Sequence, residues 1–411
     1  MIAAGNARSA LESIESATSI TESMSRLKSD DANLLYEVAY DYRVRGQIQS
    51  NGFFASQNDL ASAQESFKKA RAVDERMLAI DSNNINAQRN FADDTLYLAN
   101  TETDLDQRPD ALEDFNRSLQ GFLSLSHRSN AIKDQRKVAV VYNHLAIFYD
   151  AAGNLTLTLA NYQKGLSIYK KLAVQDPKNV LLQQGLAIAY VNVGYAKARL
   201  GNSAGGLADM HHGLTIMNPI FNADPNAEQR SMVAQMHINV ADSLADTSRF
   251  PEAGREYGIA LHIFEDMHPD SNDVDALTYM AACKVGMADA QRRLGDLRSA
   301  ATNFRAALTL TKPHLKSTDH GPLHNAADAY VGLGDIESAW ALQSPLNGRR
   351  AHWEKAVRWY QQGLEMWNQL PPFARVDSNR FRAAEVTKRL HEAESELAKL
   401  SRSPEQSIDG P

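Results

Sequence analysis

The 411-residue chain contains one cysteine, Cys283, so it can form no internal disulfide and offers no second thiol for a metal site. Cys283 is expected to act as a small buried hydrophobe. No run of about eighteen apolar residues occurs, which leaves no candidate membrane span. Lysine and arginine number 43 against 50 aspartates and glutamates, a formal charge of −7, and no basic cluster interrupts the sequence. The chain therefore lacks the positive field that would draw it to nucleic acid or to an anionic lipid surface. The opening residues MIAAGNARSALESIESATS lack a basic stretch followed by an apolar core, so no export signal is expected and the chain reads as cytoplasmic.

Present instead is a period. The segment ALEDFNRSL at Ala111 returns as TLANYQKGL at Thr158, GLADMHHGL at Gly206, AGREYGIAL at Ala253, AATNFRAAL at Ala300 and AVRWYQQGL at Ala356, with a weaker copy, AQESFKKAR, at Ala63. The intervals are 48, 47, 48, 47, 47 and 56 residues. Four residues after each anchor stands a large side chain: Phe67, Phe115, Tyr162, Met210, Tyr257, Phe304 and Tyr360. Three further on the residue is small: Ala70, Ser118, Gly165, Gly213, Ala260, Ala307 and Gly363. Spacings of four and seven keep these positions on one helical face, so each copy presents a knob between two hollows.

A second pattern runs in step. Leu98-Ala99, Leu145-Ala146, Val193-Gly194, Val240-Ala241 and Met287-Ala288 each precede an anchor by twelve or thirteen residues. The small member lets two helices approach closely, and the bulky residue of the second helix fills the space between neighbouring copies. Gly153-Asn154, Gly201-Asn202 and Gly295-Asp296 fall between the two helices, where glycine can end the first. Asp81-Ser82-Asn83, Asp176-Pro177-Lys178, Asp224-Pro225-Asn226 and Pro269-Asp270-Ser271 separate one copy from the next.

The large-then-small pair, the turn glycine, the small-x-x-x-aromatic-x-x-small helix and the closing Asp-Pro together resemble the tetratricopeptide repeat family over nearly the whole chain. That resemblance implies an all-α, right-handed superhelical solenoid of helical hairpins. The 47-residue period exceeds the family's common length of about 34, which lengthens each helix to roughly twenty residues. The organisation expected is a capping helix in 1–30, seven hairpins over 31–375, a closing helix in 376–400 and a disordered tail at 401–411. SNGFFASQ in the first copy and QSPLNGRR in the last read as loop insertions. The layout also resembles, more narrowly, the long-period repeat region following the membrane segment of certain bacterial serine/threonine protein kinases. That rests on the Gly-Phe-Phe loop, the period and the closing Trp-Tyr-x-x-Gly-Leu-x-x-Trp. Were the chain part of such a kinase, it would lie on the periplasmic side.

No catalytic residue can be carried over from that kinase resemblance, because the glycine-rich loop, the strand lysine, His-Arg-Asp and Asp-Phe-Gly are missing. Asp319-His320-Gly321 only superficially resembles the last. His211-His212, the trio His314, His320 and His324, and His391-Glu392-Ala393-Glu394 lack metal-ligand spacing, so no metal or cofactor is expected.

The first helices of a tetratricopeptide stack line its concave side. Their outward positions give a candidate groove of Asn100, Asp104, Asn143, Ile147, Asp150, Tyr195, Arg199, Asp242, Asp246, Asp289, Arg292 and Arg293. The function expected is a scaffold that holds a protein or peptide there. Asn100 and Asn143 would hydrogen-bond its main chain, and Arg199, Arg292 and Arg293 would pair its carboxylates. The competing reading is that these residues merely keep an exposed face soluble. The lysines with which the family's chaperone-binding members grip carboxylates are not matched. All four tryptophans lie in the last copy. With Tyr360, Trp340, Trp353, Trp359 and Trp367 form either a small-ligand box or a heavy terminal core.

Overall fold

The computed structural model describes residues 7–27, 31–50, 59–223, 225–271, 273–317, 320–370 and 382–402. Among these residues there are sixteen α-helices and no strand, and none of the helices is long and apolar enough to cross a membrane. The chain divides into two compact units, residues 1–220 and 221–411.

The first unit contains α1 (Ala7–Leu27), α2 (Ala32–Gln49), α3 (Leu60–Ile80), α4 (Ile85–Asp104), α5 (Arg108–Ser129), α6 (Ile132–Ala151), α7 (Leu155–Gln175), α8 (Val180–Arg199) and most of α9 (Ser203–Asn222). Helix α1 packs on α2, and the rest pair as hairpins α2/α3, α4/α5, α6/α7 and α8/α9. The second unit contains α10 (Ala227–Asp246), α11 (Phe250–Asp266), α12 (Val274–Arg293), α13 (Leu297–Thr311), α14 (Gly321–Gln343), α15 (Leu346–Gln369) and α16 (Ala383–Arg402). Here the hairpins are α10/α11, α12/α13 and α14/α15, with α16 packed on α15.

The turns follow one rule with two chemistries. Gly153, Gly201 and Gly295 adopt φ of 73°, 90° and 85°, and the residues after them, Asn154, Asn202 and Asp296, accept hydrogen bonds from backbone N–H groups in the first turn of the next helix. At the matching place in α4/α5 and α10/α11 stand Asp106 and Ser248, forced to φ of 58° and 60°. No capping side chain follows them; Pro109 and Pro251 fix the first turn of the next helix instead.

Within a hairpin, the small residue of the second helix lies directly on the first helix. Ser118 donates to the carbonyl of Ala92 at 2.7 Å. A Cβ on Gly165, Gly213 or Gly363 would meet the carbonyl of Ala139, Ala187 or Ala327 at 3.3, 2.6 and 3.3 Å. The large residue four positions after the anchor fills the gap between first helices. Phe67 covers Gly46 of its own hairpin and stacks on Tyr97 of the next, with ring centroids 5.3 Å apart. Tyr257 donates to Asp242 on α10 and lies over Gly286 on α12, while Phe304 lies over Gly332 on α14. Phe67, Phe115, Tyr257, Phe304 and Tyr360 are all buried. Each such ring contributes about 3–5 kcal/mol, measured as the loss on truncation to alanine.

One expectation needs correction. QSPLNGRR does not interrupt the last hairpin: α14 runs to Gln343 and α15 starts at Leu346, so the extra residues lengthen the helices and only Ser344-Pro345 turns the chain. Proline is tolerated because it stands at the N-cap, and Arg349 Nε donates to the Ser344 carbonyl at 2.9 Å to close the corner. The SNGFFASQ segment beyond Ser50 lies outside the described residues, as do the start of the 376–400 segment and the tail after Arg402.

Candidate partner-binding surfaces

In the first unit, the first helices of successive hairpins lie side by side and are joined by ion pairs. Arg43 on α2 pairs with Asp94 on α4; Arg89 and Asp93 on α4 pair with Asp134 and Lys137 on α6; Asp150 on α6 pairs with Arg199 on α8. One pair also links second helices, with Arg71 Nη1 of α3 2.9 Å from Asp114 Oδ2 of α5. The partners are 43 to 51 residues apart in sequence, about one repeat.

This arrangement decides what the expected groove residues can do. Asp150, Tyr195 and Arg199 converge: the Arg199 guanidinium binds the Asp150 carboxylate, Nη1 is 3.2 Å from the Tyr195 hydroxyl, and the guanidinium carbon is 5.5 Å from the Tyr195 ring centroid. Burial pushes the Asp150 carboxyl above its ordinary value, and Arg199 and Tyr195 offset this only in part. Arg199 is thus already engaged by a carboxylate of its own chain. Beside the cluster, on α6, Ile147 is 53% exposed, the one large aliphatic side chain of the expected set open to solvent. Asn100 is half-buried on α4, and Asp104 is exposed at the end of that helix.

Asn143 is placed elsewhere than expected. Its Oδ1 is buried against α7, where a Cβ on Gly165 would stand 3.0 Å away, and it accepts no hydrogen bond. Val191 and Val331 occupy the corresponding contacts of α8 and α14, opposite Gly213 and Gly363. Half-buried Asn143 therefore turns its amide oxygen into the hairpin, where it cannot receive a partner's main-chain N–H.

The second unit brings Asp289, Arg292 and Arg293 together at the end of α12. Arg292 Nε donates to Asp289 at 3.1 Å, its Nη1 is 3.4 Å from Asp335 of α14, and Arg293 Nε is 3.8 Å from Asp289. Burial would lower the Arg292 guanidinium, but Asp335 and Asp289 outweigh it and hold the group above its ordinary value. Asp335 also receives Arg389 of α16 at 3.0 Å and the Tyr360 hydroxyl at 2.9 Å. These groups border a cleft of about 420 Å³ whose apolar side is Leu342, Trp353 and Ala393. Asp242, at the other end of this unit's first-helix series, accepts from Tyr257, and Asp246 is exposed at the end of α10.

The tryptophans do not form one box. Trp353 and Trp367 are buried in the core shared by α14, α15 and α16, Trp359 stacks on Tyr330 at 5.6 Å, and Trp340 packs against His352 at 6.0 Å. Two of the histidines pack on aromatic rings, His212 on Tyr190 and His324 on Trp367.

The inter-repeat ion pairs are what sequence reasoning missed. The signal available was an arginine or lysine and an aspartate separated by about one period on aligned helices, which becomes visible only once the repeats are laid in register.

No family model matches the chain, and no curated protein matches it in sequence. Solved structures do match in fold. The apo form of RapI aligns over 80% of this chain and 97% of its own, with 13% identity and a TM-score of 0.53. BtubC from P. vanneervenii aligns over 63% and 94%, with 14% identity and a TM-score of 0.49. A tetratricopeptide repeat protein from Parabacteroides merdae aligns over 88% and 98%, with 14% identity and a TM-score of 0.40. The fold class is an all-α solenoid of tetratricopeptide-like helical hairpins.

Proposed function

We propose that the chain is a protein-interaction scaffold whose first-helix layer holds an extended or helical segment of a partner, and that in the first unit this segment is neutral where it touches. One observation carries the second half of the reading: three ion pairs neutralise charge across adjacent hairpins of that layer, Asp93 with Lys137, Arg89 with Asp134 and Asp150 with Arg199, while Asp104 stays exposed at the end of α4. A partner carboxylate would have to share Arg199 with Asp150. Uncharged surface in the expected set is offered by the Asn100 amide and the Ile147 side chain, with the Tyr195 phenol already engaged by Arg199. Such a surface suits main-chain hydrogen bonds and apolar side chains.

The narrower reading, a docking part of a kinase-type signalling protein, rests on the period and the closing Trp-Tyr-x-x-Gly-Leu-x-x-Trp; a kinase domain in the same reading frame would support it.

The test is panning a random peptide library on the full chain at about 0.05 M and 0.5 M salt, conditions whose screening lengths differ severalfold. The expected result is one family of uncharged, aliphatic-containing peptides recovered at both, with binding lost in Ile147→Glu and retained in Arg199→Gln. Acidic peptides that disappear at high salt would refute the neutral surface, and no enriched family at either salt would refute the scaffold reading.

A further inference from the structure

Helices α2, α3 and α4 meet around three ionisable groups that the proposed binding role does not use. Asp74 of α3 and Asp94 of α4 are fully buried, and Arg43 of α2 reaches both: Nη2 lies 3.0 Å from Asp94 Oδ2 and 3.9 Å from Asp74 Oδ2. Asn90 of α4 stands beside them with its amide nitrogen buried. The neighbouring acid, Asp93, is turned to Lys137 of α6, and Tyr97 of α4 completes the surroundings. Neither oxygen of Asp74 has a hydrogen-bond partner within 3.5 Å, and the Asn90 amide is near enough to lower its carboxyl only slightly.

Counting charge at this junction gives one guanidinium against two carboxyl groups. If both acids were ionised, a net negative charge would be sealed where water cannot reach it, at a cost of several kcal/mol. One proton retained between the acids makes the junction neutral. It also lets the Asp74 hydroxyl donate a hydrogen bond to the Asp94 carboxylate.

We propose that Asp74 and Asp94 hold a single proton between them, and that this proton is a built-in pH switch whose loss loosens α2 and α3 from α4. The direction of titration agrees. Burial and the adjacent Asp94 push the Asp74 carboxyl up to about 9, with Arg43 and Asn90 offsetting only part of the shift. Asp94 is raised by burial and held down by Arg43 and by Asp74. A folded-state value above the unfolded one means that stability is greatest in acid and falls as pH rises through the folded value. The stability this proton contributes is therefore full below the ordinary carboxylate range, declines towards about 9 and is gone above it, with the proton still in place at neutral pH.

Two measurements on the full chain test this. Infrared difference spectra of wild type against Asp74→Asn at neutral pH should show the carbonyl band of a protonated carboxylic acid in the wild type alone. Amide hydrogen exchange, corrected for intrinsic rates, should show protection across α2, α3 and α4 falling by up to about tenfold per pH unit below the folded value of Asp74 and levelling off above it, while Asp74→Asn shows no such slope. A wild-type spectrum with no acid band would overturn the shared proton. Equal protection at pH 7 and pH 10 in the wild type, or an unchanged alkaline loss in Asp74→Asn, would overturn the switch. Should Asp74→Asn fail to fold, the wild-type exchange profile and an Asp94→Asn spectrum still decide the matter.

Discussion

Replacing Gly332 with alanine should destabilise the second unit in the wild type and stabilise it once Phe304 is gone. A Cβ built on Gly332 would stand 2.2, 2.4 and 2.7 Å from three carbons of the Phe304 ring, well inside van der Waals contact. The ring is 2% exposed, sealed among Ala281, Leu308 and Leu333, so it cannot swing into solvent to make room. Overpacking of this kind costs about 1–3 kcal/mol. Against that, Gly→Ala in the interior of a helix gains about 1 kcal/mol from propensity. Gly332→Ala alone should therefore cost up to about 2 kcal/mol net. Phe304→Ala alone should cost about 3–5 kcal/mol. In the Phe304→Ala background the new methyl enters the vacated space, and only the propensity gain remains. The double-mutant cycle should thus close with a coupling of about 1–3 kcal/mol. Urea denaturation followed by circular dichroism supplies the free energies, provided the transition of the second unit is resolved from that of the first. A Gly332→Ala change of equal size and sign in both backgrounds would mean that the ring does not rest on this glycine, and the account of repeat packing would fail with it.

Two further predictions concern single repeats. Asn143→Val should stabilise the first unit by about 1–3 kcal/mol, because it removes a buried carbonyl oxygen that accepts no hydrogen bond and restores the side chain found opposite Gly213; a lower urea midpoint would contradict this. Ser248→Gly should raise stability by about 1 kcal/mol, since a serine with φ of 60° carries the steric cost of the left-handed region, and Ser248→Ala, which cannot relieve it, should not; equal effects from the two would show that no such cost exists there.

Much of the architecture was legible because packing constrains side-chain size at fixed intervals. The knobs Phe67, Tyr257 and Phe304 and the hollows Ser118, Gly165 and Gly213 could be read directly, since a helix of either kind tolerates few alternatives there. The left-handed turn was legible only where glycine marks it; Asp106 and Ser248 take the same conformation without that mark. QSPLNGRR reads as a loop, yet an N-cap and a first helical turn accommodate its Pro345 and Gly348. The groove was the least legible part. Helical spacing gives which face a residue occupies, but not which neighbour lies across the gap. Arg199, Arg292 and Arg293 accordingly read as free cations, whereas Asp150, Asp335 and Asp289 stand opposite them.

Those cross-gap pairs give the hairpins an order. Arg89 finds its counter-ion only if α6 comes next, and Asp150 only if α8 does. Hairpins of nearly identical shape are thereby made non-interchangeable, like keys cut differently on a common blank. Excising one hairpin, or duplicating it in tandem, would keep the helical surfaces compatible and still leave mismatched charges at the new seam, so the lineage could edit copies in place far more easily than shuffle them.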